Sequence, residues 1–133
     1  MTDKPIPQLT EFNRPYFEGC ALGELRIRNC RRCAARFRFN HYLCPNCWSD
    51  DLGWEPVSGR GTVTHFTVVH QAPYDAFEPD APYAIVLVEL AEGVRMMANL
   101  LGCDPSAIRI GMRVKAIFEP RGELHIPQFV PDD

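Results

Sequence analysis

The chain has 133 residues, 46% of them hydrophobic and 23% charged, with a net charge of −3. That suits one soluble globular domain, or one small domain with an appendage. No run of about 18 apolar residues is present to span a membrane, and Met1-Thr2-Asp3-Lys4-Pro5 has neither the basic start nor the apolar run of a secretory signal. A reducing cytoplasm is therefore the expected compartment, where paired cysteines read as metal ligands and not as disulfides.

Pro5, Pro7 and Pro15 punctuate an N-terminal arm with little structure of its own. From about Pro15 to Glu24, Tyr16, Phe17, Cys20 and Ala21 recur at helical spacing, which predicts a short helix that buries Tyr16 and Phe17. A helix this short must pack on something to persist. Arm and helix together occupy residues 1–24.

Residues 25–57 read as a metal-clamped ribbon. Leu25-Arg26-Ile27-Arg28-Asn29 and Arg36-Phe37-Arg38-Phe39 each alternate apolar with polar, as two short antiparallel strands with arginine on one face would. Asp51 to Val57 supplies a third edge, broken by Pro56. Between the strands stand two knuckles, Cys30-Arg31-Arg32-Cys33 and Cys44-Pro45-Asn46-Cys47, ten residues apart. Four thiolates close a tetrahedral shell around one metal ion and leave no position for substrate, so the metal should hold structure. The ligand set suits zinc or iron; zinc is favoured because nothing else in the chain suggests an electron partner. His41 lies between the knuckles and reads as a loop residue, since the shell is already complete. A ribbon this small has no core of its own and draws much of its folding free energy from the metal. Cys20 and Cys103 lack knuckle spacing and read as small buried hydrophobes.

Residues 58–133 read as a β-rich body that opens on the turn Ser58-Gly59-Arg60-Gly61. Strands are predicted over Thr62–His70, Ala84–Leu90, Val94–Leu101, Met112–Phe118 and Leu124–Val130. The continuous apolar runs suggest strands buried on both sides. Ala91-Glu92-Gly93 closes a hairpin, and Asp104-Pro105 opens a short helix over Ser106–Ile110. Gln71 to Pro82, with three prolines and three acids, is the longest irregular piece, and loops of that length are more often functional than idle. Five strands with one small helix between the third and fourth is the plan of an OB-fold barrel, and about 75 residues are too few for a seven-stranded sandwich. The fold class is thus mainly β: short N-terminal helix, zinc ribbon, then a five-stranded OB-fold barrel with one short helix.

At this level of detail the chain resembles a known family: acyl-CoA-associated OB-fold proteins with an N-terminal rubredoxin-like zinc ribbon, which accompany thiolase-superfamily enzymes. The matching pieces are Tyr16-Phe17-Glu18-Gly19, the four-cysteine ribbon, Val57-Ser58-Gly59-Arg60-Gly61-Thr62-Val63 and Phe66-Thr67-Val68-Val69-His70. Pro82-Tyr83, Val88-Glu89-Leu90, Leu101-Gly102-Cys103-Asp104-Pro105 and Ile110-Gly111-Met112 follow in order, so the resemblance covers roughly residues 14–130. It implies a non-catalytic subunit that docks on a thiolase or thiolase-like aldolase, as in acyl-CoA condensation or retro-aldol shortening of a steroid side chain. It also implies work beside a hot-dog-fold enoyl-CoA hydratase, here expected as a separate polypeptide in a hetero-oligomer. Some members look suited to binding or channelling CoA thioesters. Arg36-Phe37-Arg38-Phe39 has the alternation of guanidinium and ring that CoA phosphates and adenine would suit. A solvated hairpin over an apolar underside would show the same pattern.

Two other classes compete. Zinc ribbons and OB-folds both bind single-stranded nucleic acid, which calls for a basic groove with exposed aromatics. Residues 24–50 carry a balance of +4, but residues 51–133 carry twelve acids against six bases, so the barrel would repel phosphate. An enzyme would need a nucleophile, a base and an orienting group. His65 and His70, five apart on one predicted strand, point to opposite faces, and neither G-x-S-x-G nor H-E-x-x-H occurs.

Overall fold

The computed structural model describes residues 7–70 and 82–132. Of the Gln71–Pro82 loop, expected to be functional, residues 71–81 lie outside them.

Helix α1 (Arg14–Ala21) carries Pro15 in its first turn, where a missing N–H costs nothing. Just before it, the Thr10 amide donates to Asn13 Oδ1 at 2.7 Å and the Asn13 amide to Thr10 Oγ1 at 3.1 Å. The helix stops in a Schellman motif: Glu24 N–H donates to Gly19 O at 2.8 Å and Gly23 N–H to Cys20 O at 3.1 Å. Gly23 takes φ 76°, the left-handed conformation that glycine adopts without strain. Tyr16, Phe17 and Cys20 form the buried face, as predicted.

The chain then enters a three-stranded antiparallel sheet of order β2-β1-β3, with β1 (Leu25–Cys30) central, β2 (Arg36–Phe37) short and β3 (Leu52–Val57) along the other edge. β3 pairs with all of β1, from Leu25 opposite Val57 to Cys30 opposite Leu52. Pro56 does not break it, because an edge strand has one side free of ladder bonds. The predicted second strand ends early: Phe39 leaves the sheet and stacks on Tyr16 with ring centroids 4.0 Å apart.

The remaining strands close a barrel of order β4-β5-β6-β8-β7: β4 (Arg60–Val69), β5 (Tyr83–Leu90), β6 (Arg95–Leu100), β7 (Arg113–Arg121) and β8 (Leu124–Pro131). β7 returns to β4 with Arg60 opposite Lys115, and β6 meets β8 in parallel at Leu100–Phe129. This is the five-stranded OB-fold barrel. A bulge between Val63 and His65 bends the long strand β4 around the barrel. Val63, Val86, Val88, Val114 and Phe129 fill the interior without measurable exposure.

Two expectations need correction. β5 is not buried on both sides. Ala84, Val86, Val88 and Leu90 point inward, Tyr83, Ile85 and Leu87 are half-buried and Glu89 is exposed, because a closed barrel has one interior. The predicted helix over Ser106–Ile110 is a single 3-10 turn, Pro105–Ala107. Asp104 caps it, accepting from the Ser106 amide at 2.9 Å and hydroxyl at 2.8 Å, and the chain straightens at Ile108 to bury that side chain.

One core runs through the molecule: Tyr16, Phe17, Cys20, Leu25 and Ile27 pack in the same cluster as the barrel interior. A separate small cluster, Cys30, Phe37, Cys44 and Leu52, lies at the knuckles.

Candidate metal centre

The four cysteines come from two knuckles that reach the same point from different parts of the ribbon. Cys30 ends β1, and its amide donates to Ala35 O at 2.8 Å, closing the first knuckle. The Cys44 amide donates to Ser49 O at 2.9 Å and closes the second. The chain reverses at Ala34 (φ 66°) and Trp48 (φ 67°), both left-handed, with N–H groups that donate to Cys30 O and Cys44 O at 2.9 Å each.

All four Sγ atoms lie within 4.8 Å of one another, and Cys30–Cys47 and Cys33–Cys44 stand 3.5 Å apart. A tetrahedron with metal–sulfur bonds of about 2.3 Å has edges of roughly 3.8 Å, so the donor set has the size of a closed four-sulfur metal site. Donors surround the sulfurs: the Cys33 amide meets Cys30 Sγ at 3.4 Å, and the Asn46 and Cys47 amides meet Cys44 Sγ at 3.4 Å. Asn46 Nδ2 adds a bond to Cys33 Sγ at 3.5 Å. That side-chain bond, with the Ala35 amide, lowers the Cys33 thiol to about 6. Burial opposes ionisation of Cys30, but the Cys33 and Arg32 amides bring it below the ordinary thiol value. At Cys47 the Ser49 amide favours the thiolate, yet burial and the three neighbouring sulfurs push it up to about 12. Four thiolates this close repel one another, and a bound dication would remove that repulsion. The four cysteines could therefore bind a metal ion. His41 stands apart from the cage, with its ring edge-on to Phe37 at 5.4 Å.

The residues expected to meet CoA separate. Phe37 is buried in the knuckle cluster, and Arg36 Nε donates to Glu55 Oε1 at 3.1 Å across the sheet. Arg38 and Phe39 instead line a groove of about 360 Å³ where α1, the ribbon and the barrel meet. Tyr16, Arg26, Met96 and Gln128 also line it. Gln128 is a buried polar side chain whose Oε1 accepts from the Asn99 amide at 2.8 Å and whose Nε2 donates to Glu119 at 3.2 Å. Cys20 is fully buried, as expected, with its thiol pushed up to about 12 by burial, whereas Cys103 is only half-buried.

Sequence reasoning missed Arg28. Its guanidinium lies 4.5 Å from the Trp54 ring centroid and 5.3 Å from that of Phe12, while Phe12 stacks on Tyr42 at 4.0 Å. Burial between the rings, and then nearby Arg31, lower its pKa. Arg28 and Trp54 are direct cross-strand partners, so the β1–β3 register was the signal that would have found them.

Residues 54–119 match the family described as ChsH2, C-terminal OB-fold domain. The fold is similar to a chain of the structure titled Ltp2-ChsH2(DUF35) aldolase, with TM-score 0.82 and 36% identity over 95% of this chain and 98% of that one. The chain belongs to the DUF35 family. Among its relatives it is 36% identical over 129 residues to the "probable enoyl-CoA hydratase alpha subunit" of Thermomonospora curvata, covering 96% of this chain and 40% of that one. It is 39% identical over 90 residues to the "DUF35 domain-containing scaffold protein" of Methanocaldococcus jannaschii, covering 67% and 63%. It is 29% identical over 104 residues to the "benzoylsuccinyl-CoA thiolase subunit BbsA" of Geobacter metallireducens, covering 76% and 68%. The chain thus spans two-fifths of the first relative and under two-thirds of the second. No helix among the described residues is long and apolar enough to cross a membrane.

Proposed function

We propose that this DUF35 chain is a non-catalytic accessory subunit that docks on a thiolase-superfamily enzyme, a thiolase or a thiolase-like aldolase, and supports its handling of an acyl-CoA. The observation that carries this is the likeness to the DUF35 chain of an aldolase over nearly the full length of both. The relative named as a thiolase subunit and the relative named as a scaffold support the same role.

In this role Cys30, Cys33, Cys44 and Cys47 hold one structural zinc, and the closed shell leaves no position for substrate. The arm and helix (1–24), the ribbon (25–57) and the barrel (58–133) are its working divisions. Arg38 and Phe39 on the groove offer a guanidinium for phosphate and a ring for adenine, and Arg26 lies on the same groove. An enoyl-CoA hydratase is a second partner, in keeping with the name of the Thermomonospora curvata relative. Retro-aldol cleavage of a steroid side chain is the pathway this reading favours for an aldolase partner.

Co-expression with the thiolase-superfamily protein encoded beside this chain, followed by size-exclusion chromatography, tests the proposal. One complex is expected. Separate elution, with the enzyme equally soluble and active alone, would overturn it.

A further inference from the structure

The four sulfurs of the cage have unlike surroundings. Cys30 and Cys44 are buried, Cys47 is half-buried and Cys33 is exposed. Cys30 and Cys44 belong to the small apolar cluster with Phe37 and Leu52, and Cys47 packs against it. The cage therefore has a dry side, built on that cluster, and a solvent side at Cys33. Water or a competing chelator meets a closed four-sulfur site first at its exposed ligand, so a bound ion is most open to loss through Cys33.

The hydrogen bonds to the sulfurs divide in the same way. Backbone donors serve their own knuckle: the Cys33 amide reaches Cys30 Sγ, and the Asn46 and Cys47 amides reach Cys44 Sγ, each at 3.4 Å. Among the described residues one side chain donates to a cage sulfur, and it crosses from one knuckle to the other: Asn46 Nδ2 meets Cys33 Sγ at 3.5 Å. A thiolate only accepts, so the amide nitrogen and not its oxygen faces the sulfur. With its backbone N–H on Cys44 and its side chain on Cys33, Asn46 spans two sulfurs that stand 3.5 Å apart. The other close pair between knuckles, Cys30 and Cys47, rests against the apolar cluster instead. The turn itself asks for no carboxamide, since Arg32 holds the same place in the first knuckle. Nor does the backbone at Asn46 need a special residue, because the left-handed positions are Ala34 and Trp48.

We infer that Asn46 is the residue that retains the metal on the solvent side of the cage, as an outer-shell donor to the exposed ligand Cys33. Its N–H eases the crowding of negative charge on the sulfurs without adding a charge of its own, and it ties Cys33 to the second knuckle. Cys33 then leaves the ion only when this bond breaks as well. Outer-shell donors of this kind orient metal ligands and set how tightly the ion is held. The inference rests on the metal-site reading of the four cysteines and adds the residue that governs loss of the ion.

Asn46→Ala and Asn46→Asp in the full chain test it. Alanine keeps the backbone N–H on Cys44 and removes only the crossing bond; aspartate keeps the shape and loses the donor. Zinc affinity is measured by chelator competition, zinc release by transfer to a chromogenic chelator, and the sulfur ligands by the absorption of the cobalt(II)-loaded chain. Asn46→Ala should hold zinc about tenfold or more weakly and release it correspondingly faster, within the range that outer-shell losses produce. Asn46→Asp should be weaker still, because a carboxylate then faces the thiolates. In both variants the sulfur-to-cobalt charge-transfer band should move to longer wavelength, since a sulfur without its hydrogen bond gives up electron density more readily. The bands of four-sulfur tetrahedral coordination should persist. Asn46→Ala or Asn46→Asp holding zinc within twofold of the parent overturns the inference. Weaker binding with an unmoved charge-transfer band also overturns it, because Asn46 would then act only by shaping the turn. If the parent chain takes up neither zinc nor cobalt, the metal-site reading and the inference both fall.

Discussion

Cys30 and Cys47 belong to different knuckles, yet their sulfurs stand 3.5 Å apart, so each knuckle depends on the other through the cage. Cys30→Ser or Cys47→Ser should each release the metal and unfold the ribbon, read by metal stoichiometry and circular dichroism. Full metal retention in either variant would contradict the assignment. At Arg28 the stabilisation comes from desolvated contact with two rings, and Arg28→Ala should cost about 1–2 kcal/mol in chemical denaturation. A loss below a few tenths would show the stack to be incidental. The cysteines were legible in the sequence because knuckle spacing is local. Arg28 was not, because it reads as a solvated arginine on an alternating strand until Phe12 and Trp54 are brought to it by the fold.

Helix α1 joins ribbon and barrel through Tyr16, Phe17 and Cys20. Burial pushes the Cys20 thiol from its ordinary value of about 9 up to about 12, and raises the Tyr16 phenol as well. A raised pKa of this kind leaves its contribution complete below pH 9 and removes it as pH climbs towards the folded value. Stability should therefore fall between about pH 9 and 12, and Cys20→Ala should show a shallower fall in urea titrations. An identical slope would show that α1 does not stay packed. In the barrel, a Cβ added at Gly61 would stand 2.6 Å from Glu89 O and 2.5 Å from Val88 Cγ1, so Gly61→Ala should destabilise by about 1–3 kcal/mol. The barrel strands were legible because β-branched runs alternate with turn residues. Phe39 was misplaced because its partner Tyr16 is distant in sequence, and the 3-10 turn was overextended because Ile108 is drawn into the core.

At the scale of the whole molecule, a single apolar core joins helix, central ribbon strand and barrel, while the knuckles hang from it on a four-residue cluster of their own. The knuckle end should therefore be the part that the metal holds together. In the proposed role, a metal-stapled ribbon presents a surface to a thiolase-superfamily enzyme. Size-exclusion chromatography of the co-expressed pair, with zinc measured across the elution, tests it most directly. The expected result is one complex peak carrying one zinc per DUF35 chain, which splits into two peaks when a strong chelator strips the metal. A complex that survives complete loss of zinc, or two proteins that never co-elute, would contradict the account.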